Sequence, residues 1–316
     1  MITPNEQYTR LGAALGYKDL YFKREDLHPL GSHKGRSIPV MIDYHFARGS
    51  KNFVITSSGN AALAAALYIK DMPDISLEIF VGENIVPHKL AKLAKIVEDT
   101  NKAENVKNDG NEKVLPERIK ITKVPRPSQA LMQATQRGMT SLRQSTDDIA
   151  LVGYETLAKE LLTMTKLAAV FIGTSSGTTA QALAQFFLKD KRGVQVHIVQ
   201  TSSCHSMSES FHRCELSGTD NVGNPENMSE AKISIADAIV DKVALRKTAL
   251  IPLIKQTGGS GWCATNEDII AAQKLAKTYT GLDISTNSAL SVVGALKAGR
   301  AKHNIEGPIA CMICGD

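Results

Sequence analysis

A chain of 316 residues, 43% apolar and 22% charged, can bury a large core and is long enough for about two domains. The net charge of +5 is spread along the chain, and eight Phe, seven Tyr and one Trp offer little for base stacking, so nucleic-acid binding is not implied. No apolar run nears the roughly 18 residues that span a bilayer, no basic-then-apolar leader is seen, and five cysteines fit a reducing compartment, so a cytoplasmic protein is expected.

In chain order, a strand is predicted at 20–23, followed by a Pro/Gly turn and a lysine, Lys34, where a helix would begin. A strand at 53–56 leads into an Ala-rich helix at 61–70, and a strand at 77–81 into a helix at 87–98. Residues 101–120 are polar, with Asn108-Asp109-Gly110-Asn111 as a turn signal, and read as a surface insertion. A strand at 119–124 and helices at 127–137 and 156–164 follow, then a strand at 168–172, a helix at 179–189 and a strand at 194–200. Residues 208–232 are expected to be loop-rich and mobile; helices at 266–279 and 288–297 and a strand at 309–313 complete the set. Strand–helix alternation argues an α/β chain with mostly parallel sheets, whose ligands lie beyond the carboxyl ends of the strands. Domain boundaries are expected near 36–40 and 145–155.

Three segments carry candidate chemistry. In Gly31-Ser32-His33-Lys34-Gly35, a lysine near a helix N-terminus can lose its proton and, as a neutral amine, condense with an aldehyde. Thr56-Ser57-Ser58-Gly59-Asn60 offers small residues and open N–H groups that suit a carboxylate; an ordinary capping loop with Ser58 or Asn60 as the cap is the alternative. Gly173-Thr174-Ser175-Ser176-Gly177-Thr178-Thr179 offers five hydroxyls and backbone N–H groups to a phosphate without the lysine of a P-loop, and a Ser/Thr-rich turn is again the alternative.

Together and in this order, these segments resemble the fold type II pyridoxal phosphate enzymes: the tryptophan synthase β, threonine synthase, threonine dehydratase and cysteine synthase superfamily. Lys23-Arg24-Glu25-Asp26-Leu27 with Gly31–Lys34 is similar to its lysine segment, and Ser57–Asn60 to its substrate-carboxylate loop. Gly153-Tyr154-Glu155-Thr156-Leu157-Ala158-Lys159-Glu160 resembles a threonine synthase and dehydratase helix, and Gly173–Thr179 a cysteine synthase phosphate loop with Ser175-Ser176 in place of Gly-Gly. Ala236–Ile239 and Thr265–Ile270 resemble threonine synthase segments.

The resemblance implies two three-layer αβα lobes with the cofactor in the cleft between them: a larger domain of residues 1–38 plus 150–316, and a smaller mobile domain of 39–149. It implies that Lys34, with His33 beside it, forms a Schiff base with pyridoxal phosphate and moves the Cα proton. Asn60 is expected to bond the ring hydroxyl, and Gly173, Thr174, Ser175, Ser176, Gly177 and Thr178 to hold the phosphate. Thr56, Ser57, Ser58 and Gly59 are expected to hold the substrate carboxylate. Ser285 or Cys314 is expected to meet the pyridine nitrogen, and Ser285 stands where threonine synthases and dehydratases commonly carry Glu. The implied activity is β- or γ-elimination or replacement on a small amino acid, threonine synthase-like or threonine/serine dehydratase-like. A cysteine synthase-like replacement and a non-catalytic relative are the alternatives. A homodimer is implied.

Four further signals have plainer readings. Cys204-His205 with His212-Arg213-Cys214 has metal-ligand residue types but no standard zinc spacing, so no metal is expected. Cys311-x-x-Cys314 lies in a strand, which argues against redox chemistry. Lys23-Arg24-Glu25-Asp26 reads as a solvated, self-compensating run, and Leu131, Met132 and Met139 as core or gap-filling residues.

Overall fold

A computed structural model describes residues 2–57, 59–105, 117–211, 233–241 and 243–315. The chain forms two compact units, one of residues 1–27 and 154–316 and one of residues 28–153. Residues 28–38, expected in the larger domain, pack with the smaller unit.

The smaller unit contains α2 (Ile38–Phe46), β3 (Asn52–Thr56), α3 (Asn60–Ile69), β4 (Ser76–Gly82), α4 (Pro87–Asn105), β5 (Ile119–Val124), α5 (Pro127–Gln136), β6 (Thr140–Ser141) and α6 (Ile149–Gly153). Its four strands lie in the order β5-β4-β3-β6, all parallel. The core joins Phe53, Ile55, Leu77, Ile79 and Ile119 to the alanine face of α3. Arg118 closes the end of α3: Nη1 donates to the carbonyls of Ile69 and Met72 at 2.8 Å and Ile75 at 3.1 Å, and Nη2 to Lys70 at 2.8 Å. These are carbonyls that a helix end leaves without intrahelical partners.

The larger unit opens with β1 (Asn5–Gln7), α1 (Thr9–Leu15) and β2 (Leu20–Arg24). After the smaller unit it resumes with α7 (Glu155–Leu161), β7 (Ala169–Gly173), α8 (Thr178–Asp190), β8 (Gln195–Thr201), α9 (Lys247–Gln256), β9 (Gly261–Ala264), α10 (Asn266–Thr280), α11 (Thr286–Arg300) and β10 (Ile309–Ile313). The sheet order is β1-β2-β10-β7-β8-β9, parallel except for the β1–β2 pair. β10 is buried at every position, as a parallel strand covered on both faces must be. The last strand of the chain therefore lies inside the sheet, which places the end of β10 beside that of β7.

Sequence periodicity missed β1, β6 and β9, which have two to four residues each. It also missed α1, α2, α6 and α9; α2 carries a proline in its first turn, and α9 carries Pro252 in its interior. The lysine segment is a 3-10 turn, His33–Arg36, with α2 starting only at Ile38, so Lys34 does not open an α-helix as expected. Met132 is 54% exposed and is not core, whereas Leu131 is buried and Met139 packs against the same cluster. Among the described residues, Cys204, Cys311 and Cys314 are buried free thiols. No helix among the described residues is long and apolar enough to cross a membrane.

Candidate active site

In the larger unit, β7 delivers Gly173 to the carboxyl end of the sheet, and the loop to α8 begins there. The Thr174 N–H donates to the Val199 carbonyl at 2.8 Å, pinning the loop to β8. The Thr174 hydroxyl donates to the Ile172 carbonyl at 3.1 Å. Ser175 Oγ accepts the N–H groups of Val240 and Asp241, each at 3.2 Å, and donates to Asp241 Oδ2 at 3.1 Å. The hydroxyls of Ser176 and Thr178 stand 3.0 Å apart. Thr174 and Ser175 therefore brace the loop, and the five-hydroxyl count made from sequence overstates what a ligand could use.

Gly177 is the N-cap of α8 at φ +84°, with no capping side chain. A Cβ there would face the left-handed penalty and meet Leu250 Cδ2 at 2.9 Å, so glycine is required. An uncapped helix start with small residues around it offers N–H groups and the positive end of the helix dipole to an anion.

Ser285 and Cys314 belong to one network at the end of β10. Ser285 caps α11, accepting the Ser288 N–H at 3.2 Å, and its Oγ lies 2.8 Å from the Gly315 carbonyl and 3.0 Å from Ser288 Oγ. Ser288 Oγ in turn accepts the Cys314 N–H at 3.0 Å. Among the described residues no carboxylate bonds Ser285 or Ser288. The first turn of α11 packs on the phosphate-type loop: the Asn287 carbonyl lies 3.0 Å from where a Gly173 Cβ would stand. Two elements far apart in sequence thus meet at one sheet end.

The smaller unit holds the other candidates. Buried Ser32 accepts the Lys34 N–H at 3.2 Å and fixes the start of the His33–Arg36 turn. This turn packs against α3, because Gly31 at φ +82° leaves no room for a Cβ, which would meet Leu63 Cδ2 at 2.8 Å. Thr56 ends β3, Ser57 Oγ accepts the Gly59 N–H at 3.2 Å, and Asn60 is the first residue of α3. The N-cap is Gly59 without a capping side chain, so the start of α3 is open to a carboxylate; Asn60 is not the cap. Ser58 lies outside the described residues.

The run Lys23–Asp26 is not solvated. Lys23 and Glu25 are fully buried, and Lys23 Nζ donates to Glu160 Oε2 at 2.6 Å and to the Thr3 carbonyl at 2.8 Å. Thr3 Oγ1 donates to Glu25 Oε1 at 2.5 Å, and the Thr3 N–H to Glu160 Oε2 at 3.2 Å. The Lys23–Asp26 run and α7, noticed separately in sequence, are thus joined by a buried ion pair between Lys23 and Glu160. β2 is an inner strand of the sheet, and Lys23 is buried on it. Cys204 and His205 join no metal-binding group among the described residues; His212, Arg213 and Cys214 lie outside them. Burial pushes the Cys311 thiol far up, against a weaker opposing contact from Ser291, which suits packing and not redox exchange.

The family model described as pyridoxal-phosphate dependent enzyme matches residues 2–315. The chain belongs to this family. Its dependence on pyridoxal phosphate and its fold type II architecture follow. Threonine synthase from Mycobacterium leprae is 23% identical over 287 residues, covering 88% of this chain and 71% of that protein. Among solved structures, a pyridoxal 5'-phosphate-dependent aspartate racemase superposes with a TM-score of 0.74 at 19% identity, over 100% of this chain and 90% of the other. The processed form of threonine deaminase isoform 2 from Solanum lycopersicum gives 0.72 at 20% identity, over 99% and 78%. A racemase and a deaminase share the backbone, so the fold leaves the reaction open.

Proposed function

We propose that this chain catalyses elimination or replacement at Cβ or Cγ of a small amino acid, in the manner of a threonine synthase or a threonine/serine dehydratase. The observation that carries the reading is the network at the end of β10, where, among the described residues, Ser285 and Ser288 bond each other's hydroxyls and backbone groups and no carboxylate. A carboxylate facing the pyridine nitrogen would keep it protonated and make a stronger electron sink; a neutral group suits loss of a leaving group from Cβ or Cγ. The threonine synthase relatives support the substrate class.

The residues fit the cofactor: an uncapped α8 start suits its phosphate, and a neutral hydroxyl or thiol suits its ring nitrogen. When bound, pyridoxal phosphate supplies an aldehyde for amines and a ring that takes up charge from Cα. Lys34 Nζ is the amine we assign to the aldehyde and to moving the Cα proton, with His33 beside it. Asn60 is assigned to the ring hydroxyl and the Gly173–Thr178 loop to the phosphate. Thr56, Ser57 and Gly59, with the open start of α3, are assigned to the substrate carboxylate. Cys314 is assigned to the ring nitrogen, because the Ser285 hydroxyl already donates to the Gly315 carbonyl. The reading carries with it a homodimer and a cytoplasmic setting.

The experiment is a scan of serine, threonine, O-acetylserine and O-phosphohomoserine against the yellow holoenzyme, following absorbance and released keto acid or threonine. Turnover of at least one, lost in Lys34→Ala, is expected. A coloured protein inert to all four refutes the catalytic reading and leaves a binder.

A further inference from the structure

His28 is held twice within the turn that leads to Lys34. Its carbonyl accepts the Gly31 N–H at 2.7 Å, closing a turn with Pro29 at its second position, where proline is favoured. Its ring Nδ1 accepts the Leu30 N–H at 3.2 Å, two residues on, the bond that an Asn or Asp side chain makes in such turns. A backbone N–H only donates, so Nδ1 is the bare ring nitrogen and Nε2 carries the proton.

A second contact ties that ring to the lysine. Gly35, the residue after Lys34, is buried. A Cβ on it would stand 2.4 Å from both Nδ1 and Cε1 of His28 and 2.8 Å from Leu30 Cβ, so the ring fills the space a side chain at 35 would take. Gly35 is not among the residues with positive φ, so close approach, and not a left-handed backbone, is what calls for glycine here. The Lys34 N–H donates to Ser32 Oγ at 3.2 Å, the Gly35 N–H to the Ser32 carbonyl at 2.9 Å, and the Lys34 carbonyl accepts the Ser37 N–H at 3.2 Å. Lys34 is thus set from one side by Ser32 and from the other by the His28 ring against Gly35.

We propose that His28 is a positioning residue for Lys34: the ring, fixed by the Leu30 N–H, fixes Gly35 and with it the point from which Lys34 Nζ reaches the cofactor aldehyde. This rests on the assignment of Lys34 made above. The step served is condensation, in which Nζ bonds to the aldehyde carbon and the carbonyl oxygen leaves as water. Orientation contributes strongly to a reaction between two held groups, so a small shift of the turn is felt there. Displacing Lys34 costs the covalent attachment and leaves the groups assigned to the cofactor phosphate and ring untouched. Sequence alone showed only a Pro/Gly turn, and neither His28 nor Gly35 signals the pairing.

The test uses the full chain with three substitutions. His28→Leu keeps bulk without an acceptor, His28→Asn places Oδ1 where Nδ1 stands, and Gly35→Ala drives a Cβ into the ring. Two probes separate positioning from scaffolding: pyridoxal phosphate, which joins Nζ, and pyridoxamine phosphate, which carries an amine in place of the aldehyde and forms no bond to lysine. Equilibrium binding of each is measured, and borohydride reduction with mass spectrometry reads the lysine used. His28→Leu and Gly35→Ala should each weaken pyridoxal phosphate about tenfold and pyridoxamine phosphate by less than about twofold, and His28→Asn should recover most of the loss. Gly35→Ala reads the same contact with His28 intact, so it decides the matter if His28→Leu does not fold. Equal weakening of both probes overturns the proposal in favour of general support of the site. Unchanged affinity for both, with the wild-type cofactor on Lys34, overturns the proposal and leaves the assignment of Lys34 standing. A wild-type cofactor on another lysine overturns both.

Discussion

Lys23→Met removes the ammonium from the buried cluster of Thr3, Glu25 and Glu160 while keeping the length and bulk of the side chain. Lys23 is 0% exposed and the Glu160 side chain 10% exposed, with Nζ 2.6 Å from Oε2, so water cannot replace the lost partner. Removing one member of such a pair costs about 3–5 kcal/mol, because the remaining charge stays buried. For a domain of 150–250 residues each kcal/mol moves the melting point by about 2–4 °C, which predicts a fall of roughly 6–20 °C. The chain has one tryptophan, Trp262, 2% exposed in the larger unit, so urea unfolding followed by its fluorescence reports the unit that holds the pair. The double variant Lys23→Met/Glu160→Leu should recover a large part of the loss. A loss below about 1 kcal/mol in the single variant, or no recovery in the double, would refute the claim that a desolvated ion pair joins these segments.

Cys311 should resist alkylation in the native protein and react only after urea, since burial holds its thiol protonated; native labelling mapped by mass spectrometry would contradict this. Burial raises the Asp268 carboxyl pKa, but the Lys297 ammonium at 2.8 Å and the Thr265 N–H outweigh it, leaving the pKa below 3.8. The stability it contributes is present above about pH 3.8 and lost as pH falls through the folded value, so Asp268→Asn should lower neutral-pH stability and flatten the acid limb of the melting curve. Burial and then Asp43 push Tyr68 up to about 12, so its contribution should fade as pH rises from 10 toward 12, measurable by phenolate absorbance. Arg118→Met should cost about 2 kcal/mol or more and speed hydrogen exchange at the end of α3.

β10 was legible in the sequence because an inner parallel strand is a continuous apolar run, and 309–313 was read at its observed bounds; 119–124, an edge strand in which apolar residues alternate with Lys and Thr, was read at its observed bounds as well. Helices with clean caps were found within two residues at their starts, as at Asn266, where Thr265 and Asp268 close a capping box. What failed was tertiary in origin. β1 is three residues long and owes its existence to pairing with β2. Lys23 and Glu25 look solvated until Glu160, 137 residues away, is brought to them. At the candidate site the small-residue loops were visible, but the spending of Thr174 and Ser175 on the protein was not, because Asp241 is 66 residues from Ser175. The pairing of Ser285 with the end of β10 likewise needs the fold; sequence could only offer Ser285 and Cys314 as alternatives.

Lys34 is the lysine assigned to carry the cofactor. Borohydride reduction of the holoenzyme, digestion and mass spectrometry read this directly. A pyridoxyl phosphate group on the peptide containing Lys34, absent from Lys34→Ala, is the predicted result; a group on another lysine, or none, would contradict it.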